Sequence, residues 1–376
     1  MLLSILIPTK NNISCLESAV KGFLAFDANL SKNAELVIVD NSDDENIYLK
    51  ELDTDNVVYD WNSEPLDMLG NFDRSIKLAK GKYICILGDD DFVLPSIFEV
   101  VKLLDENSID SAMAELSPYY WPLVNTHWIK NNDSGVLEVP KKRVKTSNYD
   151  VSKGLKQVLD AGGSKYINIL PSAYHGMVKR SVMEKLIKKY GTAFPGPSPD
   201  ISNAVLLSLY GVTCYRVDPF VVSGAAAGSA AAEGASHAHH GSLDERGGFI
   251  NRGEVSWPTN VPQFFCGPTM WSVSVIHTLQ YTNNNHLVKN VNSSFLHGAC
   301  LAYHPQYSRK IFRSLNEQEN ANMLKFSWSV FTVFVQRVNQ FFSNWLKYHK
   351  TLSFLSNWKV VRNIADTTEV AKYVDK

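Results

Sequence analysis

The chain has 376 residues, 45% hydrophobic and 20% charged, with a formal net charge of −1. That length predicts one large domain or two modest ones with ordinary globular cores, and the near-zero charge gives no reason to expect a nucleic-acid partner. Five cysteines, Cys15, Cys85, Cys214, Cys266 and Cys300, follow no CxxC spacing and read as free thiols in a reducing compartment.

The apolar start, Met1 to Pro8, lacks a basic n-region and a small-residue cleavage site, so it reads as a first strand rather than a signal peptide. No stretch offers eighteen uncharged apolar residues, and no membrane span is predicted. Leu2 to Ile7 is a near-continuous apolar run, as in a strand buried on both faces. Ile13, Leu16, Ala19, Val20, Phe23 and Leu24 then recur at helical spacing. Glu35 to Val39 is a second strand ending in Asp40, and Val57 to Tyr59 a short third. Leu66, Leu69, Phe72, Ile76 and Ala79 mark a helix closed by Gly81. Tyr83 to Leu87 is the next strand, Pro95 opens a helix to about residue 105, and Ser111 to Leu116 suits another strand. This alternation predicts an α/β domain with a mostly parallel central sheet and helices on both faces.

Residues 117–222 are mixed. Tyr119, Tyr120, Trp121 and Trp128 form an aromatic connection, and Met183 to Tyr190 reads as helix. The rigid Pro195-Gly196-Pro197-Ser198-Pro199 loop delivers Asp200 to the start of a helix over 201–209. Residues 223–254 are rich in Gly, Ala and Ser with His237, His239 and His240, and are expected to be a flexible loop or a lid. Residues 255–376 read as a mainly helical C-terminal region. Phe326, Trp328, Phe331, Phe334, Val335, Val338, Phe341, Phe342 and Trp345 recur there at three- and four-residue steps, an apolar stripe suited to its own core, a second copy or a membrane surface. Arg337 and Lys347 would reach lipid headgroups from its edges.

Chemistry concentrates at Asp89, Asp90 and Asp91, which follow Gly88 at the end of a strand. Adjacent carboxylates repel, and a strand end removes hydration, so the arrangement calls for compensation. A hard divalent cation, Mn²⁺ or Mg²⁺, supplies it and leaves positions for substrate phosphates. In open α/β sheets ligands bind beyond the carboxyl ends of the strands. Pro8 to Asn12, Asp40 to Asp43 and the acidic triplet all sit at such ends and are expected to converge. Neither GxGxxG nor GxxxxGK[ST] is present.

Leu3 to Asn11, Val37 to Ser42 and Gly81 to Asp91 together resemble the opening strand, second strand and DXD-bearing strand of family 2 glycosyltransferases with the GT-A fold, of the bacterial surface-polysaccharide type. The resemblance covers residues 1 to about 115 well, weakens to about 220 and stops there. It implies a metal-dependent inverting transfer from a nucleotide-sugar donor to a glycan or lipid-linked saccharide acceptor. By position it implies donor contacts at Pro8, Thr9, Asn11, Asp40, Asn71, Asp89 and Asp90, and metal ligation by Asp91 with Asp89. It places the catalytic base at Asp200. A cytoplasmic enzyme at the inner face of a membrane follows from the same association, with peripheral membrane contact or a homo-oligomer through the C-terminal helices. The alternative is a catalytically inactive GT-A-like binding or scaffold module.

Overall fold

The computed structural model describes residues 1–374 apart from 53, 65, 131–134, 247–255, 319–321 and 365–366. Strands are β1 (Leu3–Thr9), β2 (Ala34–Asp40), β3 (Val57–Trp61), β4 (Tyr83–Ile86), β5 (Phe92–Val93), β6 (Ser111–Ala114), β7 (Ser117–Tyr120) and β8 (Val136–Pro140). They continue with β9 (Ser147–Tyr149), β10 (Met177–Lys179), β11 (Cys214–Val217), β12 (Val221–Ala225), β13 (His240–Gly241), β14 (Phe265–Cys266) and β15 (Trp358–Arg362). The longer helices are α1 (Ile13–Leu24), α2 (Met68–Leu78), α3 (Ser96–Glu106), α4 (Val151–Asp160), α5 (Arg180–Tyr190), α6 (Pro199–Tyr210), α7 (Gly267–Tyr281), α8 (Ser293–Tyr303), α9 (Ser308–Asn316) and α10 (Met323–Tyr348).

The main sheet runs β3-β2-β1-β4-β10-β6-β11-β9. Its first four strands are parallel; β10 is antiparallel to both neighbours, and β11 is again parallel to β6. Alternate residues of β1 serve opposite cores. Ile5 and Ile7 pack with Leu16, Val20 and Phe23 of α1 and Ile97 and Phe98 of α3. Leu6 faces Phe72 and Ile76 of α2 on the other side. Apolar cover on both faces is why these strands are unbroken apolar runs rather than alternating ones.

A second sheet runs β15-β8-β7-β12-β5. Two elements here depart from the sequence expectation. Ser223 to Ala225, expected to open a flexible segment, complete β12 between β7 and β5; the small side chains admit a close approach of backbone, described below. The same segment then forms a short helix, Ala230–Ala235, while residues 247–254 of it lie outside the described residues. The region after 255 is helical through α10, but β15 returns to the N-terminal half and pairs residue by residue with β8, from Trp358 opposite Pro140 to Arg362 opposite Val136. Among the described residues no helix is long and apolar enough to cross a membrane.

Candidate active site

The parallel strands end together. Thr9 lies opposite Asp40 in the β1–β2 ladder, while β4 pairs with β1 only from Leu3 to Leu6. Pro8, which has no N–H to offer a ladder, sits beyond that point, where β4 no longer pairs with this edge of β1. Asp40 is buried; its Oδ1 accepts from the Ser42 N–H at 2.8 Å and its Oδ2 from the Tyr59 hydroxyl at 2.8 Å. Thr9 donates its hydroxyl to Asp89 Oδ2 at 2.7 Å and Asn12 Nδ2 donates to Asp89 Oδ1 at 2.6 Å, so the turn after β1 and the acidic triplet form one surface. Asn11 holds a left-handed backbone, φ 59°, and its N–H donates to Ser42 Oγ at 2.7 Å. Asn71 reaches the same strand ends from α2, where Nδ2 donates to Val39 O at 3.0 Å and Thr9 O at 3.3 Å. These contacts make Asn71 a clamp between β1 and β2, while its Oδ1 is buried without a partner among the described residues.

The three aspartates differ sharply. Asp89 is partly exposed; burial raises its pKa against the hydrogen bonds from Thr9 and Asn12. Asp90 is pushed up to about 7, by burial first and then by the charge of Asp91. Its Oδ2 accepts from Ala226 N–H at 3.0 Å, and its backbone oxygen from Trp121 Nε1 at 2.9 Å. Asp91 is 1% exposed. Its Oδ1 accepts from Gly224 N–H at 2.8 Å, and its Oδ2 from Gly88 N–H at 2.6 Å and His175 Nε2 at 2.5 Å. The amides of Gly224 and Ala226 thus come from β12 and the residue after it. A Cβ on Gly224 would stand 1.7 Å from Asp90 O, so only glycine lets the strand come this close.

Asp200 sits in the first turn of α6, with Pro199 before it. Its Oδ2 accepts from the buried Tyr166 hydroxyl at 2.5 Å and its Oδ1 from Ser198 Oγ at 2.5 Å. Tyr174 and His175 lie between this carboxylate and the triplet. Burial and then Asp91, Asp90, Asp200 and Asp89 push the Tyr174 phenol well above its ordinary range. Burial alone would lower His175, but Asp91, Asp90 and Asp200 hold it raised. One buried pair therefore senses carboxylates from both halves of the crevice.

The other sequence candidates lie elsewhere. His239 Nδ1 is 2.9 Å from Glu233 Oε2, and His240 Nδ1 is 3.1 Å from the Tyr307 hydroxyl, with its ring 5.1 Å from that of His304. Their partners are in the C-terminal half, not the triplet. Asp91 offers a divalent ion little: it is 1% exposed and its Oδ2 is filled by the Gly88 N–H and His175 Nε2, so only Oδ1, which holds the Gly224 N–H alone, keeps a lone pair. Among the described residues no group of three His, Cys, Asp or Glu side chains is arranged to hold a metal. Sequence reasoning missed His175, Tyr174, Tyr166 and Gly224. No motif marks them, although a histidine next to glycine in an otherwise apolar stretch, Tyr174-His175-Gly176-Met177-Val178, is a signal of a polar group with a buried partner.

The family model for Glycosyl transferase family 2 matches residues 4–167. That part of the chain is similar to glycosyl transferase family 2. A crystal structure of S. aureus TarS 1–349 in complex with UDP-GlcNAc covers 84% of this chain and 80% of its own, at 12% identity and a TM-score of 0.51. At that identity the likeness shows the fold, which is of the GT-A type with a helical C-terminal region. A crystal structure of S. aureus TarS covers 60% of this chain at 14% identity and a TM-score of 0.42, and this chain spans 37% of it. A comparison with curated proteins gave no match. The matched segment contains the ends of β1, β2 and β4 and the acidic triplet, whereas His175, Asp200 and Gly224 lie after it.

Proposed function

We propose that this chain is a glycosyltransferase that takes a sugar from a nucleoside-diphosphate donor and transfers it, with inversion, to a hydroxyl of a glycan or lipid-linked acceptor. The observation that carries the reading is one connected site: the Tyr174 N–H donates to Ser172 Oγ at 3.1 Å, Ser172 Oγ donates to Asp200 O at 3.3 Å, and the Tyr174 hydroxyl and His175 Nε2 lie 3.5 and 2.5 Å from Asp91 Oδ2. In this reading the nucleoside lies against Pro8, Thr9, Asn11 and Asp40. Each Asp40 oxygen holds one protein donor and keeps a further lone pair for a base or ribose group. Asp89 and Asp90 face the sugar and ribose hydroxyls.

Asp200 acts as the base. The acceptor hydroxyl attacks the anomeric carbon from the face opposite the leaving group, its proton passes to the Asp200 carboxylate, and the nucleoside diphosphate departs. Tyr166 and Ser198 fix the two carboxylate oxygens at the start of α6. The Mn²⁺ or Mg²⁺ expected from the triplet is given no step here; it would draw on Asp89 and on Oδ1 of Asp91, the oxygen that keeps a lone pair, and would offset charge on the departing diphosphate.

A thermal-shift panel of nucleoside diphosphates and nucleotide sugars, uridine compounds first, tests the donor assignment. It is run with Mn²⁺ and with EDTA, so that any metal requirement is read in the same plate. Stabilisation by a nucleotide sugar that Asp40→Ala abolishes is the expected result. No response to any donor in either condition overturns the assignment in favour of a catalytically inactive module.

A further inference from the structure

Helix α10 presents apolar side chains on two sides. One side belongs to the protein itself: Phe326, Ser329 and Val333 are buried, and Gly298 of α8 lets Ser329 approach so closely that a Cβ there would stand 2.8 Å from the Ser329 Cβ. The opposite side is exposed. Trp328 is 70% exposed, Phe331 56%, Val335 39%, Val338 37%, Phe342 57% and Trp345 37%.

These six residues are separated by steps of three, four, three, four and three, which is the a/d seam of a coiled coil. The order Trp-Phe-Val-Val-Phe-Trp also reads the same in both directions. A two-fold axis between Val335 and Val338 would therefore set Trp328 against Trp345 of the second copy, Phe331 against Phe342 and Val335 against Val338. Small residues would meet at the crossing point and large ones at both ends, a self-complementary isologous pattern. With Phe334 and Phe341 beside it, the stripe exposes roughly 900 Å² at about half of the area such side chains can bury. That exceeds the apolar patch of about 300–600 Å² usual on a monomer and meets the roughly 800 Å² per partner of a stable interface.

A lipid surface fits less well. An interfacial helix sets free cations beside its apolar face. The charged residues of α10 are Lys325, Arg337 and Lys347. Arg337 donates to Ala302 O and lies over the Tyr303 ring, and Lys347 Nζ is 2.7 Å from Glu138 Oε2, so both are turned into the protein. Those contacts also hold the helix rigid before any partner arrives.

We propose that two copies of this chain pair through an antiparallel coil of α10. Light scattering on the full chain at micromolar concentration is expected to read twice the 42.1 kDa chain mass. The Val335→Glu/Val338→Glu double variant, altered only on the exposed side, is expected to read the single mass with unchanged circular dichroism and melting. Orientation is read by cysteine pairing, with dioxygen and a copper catalyst as oxidant. Trp328→Cys mixed with Trp345→Cys is expected to give a disulfide-linked dimer, while Trp328→Cys alone is not; the native cysteines are all buried. A monomeric full chain, or a dimer that survives both glutamates, overturns the proposal. A monomer that floats with anionic vesicles assigns the stripe to lipid instead, and Trp328→Cys cross-linking to itself overturns the antiparallel arrangement.

Discussion

Gly224→Ala is a small change with a large expected effect. The added methyl would fall 1.7 Å from Asp90 O and 2.4 Å from Asp90 C, both backbone atoms that cannot swing aside. An ordinary contact of about 3.5 Å requires β12 to move by more than about 1 Å. The Gly224 N–H to Asp91 bond of 2.8 Å and the Ala226 N–H to Asp90 bond of 3.0 Å would both be stretched beyond use. Hydrogen bonds to charged groups contribute about 1.5–3 kcal/mol each, and overpacking costs about 1–3 kcal/mol. Taking the low end of each range gives about 4 kcal/mol, a large part of the roughly 5–15 kcal/mol that holds a typical domain together. With an unfolding entropy of about 2.1 cal/mol/K per residue over 376 residues, Tm is expected to fall by about 5 °C or more. The assay is thermal melting followed by circular dichroism, with Gly234→Ala alongside. Gly234 is helical with nothing within 4 Å of its added methyl, so that variant is expected to be neutral or up to about 1 kcal/mol more stable. If Gly224→Ala melts with the wild type, β12 is not seated against Asp90 and the reasoning fails.

Other expectations follow from the same geometry. Asp200→Asn is expected to lower kcat by about 10² or more while leaving donor affinity within about twofold, since the base contributes to proton transfer and not to donor binding; an active variant moves the base elsewhere. Tyr166→Phe removes one of the two donors that orient Asp200, and is expected to reduce kcat about tenfold with KM for the donor unchanged, read in the same transfer assay. Lys347→Ala strands Glu138, which is 4% exposed, and is expected to cost about 3–5 kcal/mol in chemical denaturation, unless the Tyr348 hydroxyl at 2.5 Å suffices alone. An unchanged denaturation midpoint would show that this buried pair holds nothing in place.

The parallel half of the main sheet was readable because burial on both faces writes itself as unbroken apolar runs, as in Leu3 to Ile7 and Leu36 to Val39. Asp200 was readable because prolines before a helical pattern announce a helix start. Strands β8 to β12 were not, since each has three to five residues and gains its place from partners far along the chain. The Gly, Ala and Ser of 223–226 looked like freedom, yet at Gly224 smallness serves contact. His175 was invisible because Asp91 lies 84 residues away and no local pattern joins them. The stripe on α10 was visible in its spacing, but whether Arg337 and Lys347 turn inward or outward depends on Ala302 and Glu138, which no periodicity reveals.

The pairing of β15 with β8 also sets a schedule. β8 ends at Pro140 and β15 begins at Trp358, so the second sheet lacks its outer strand until more than two hundred further residues have left the ribosome. At about 5–20 residues per second that is roughly 10–40 s of synthesis. Throughout it, the free edge of Val136 to Pro140 is a template for any other strand. Glu138, at the middle of that edge, meets Lys347 and Tyr348 only near the end. A charged side chain directed from an open edge discourages wrong pairing while the chain is incomplete. The residue that later anchors α10 thus guards the nascent protein first.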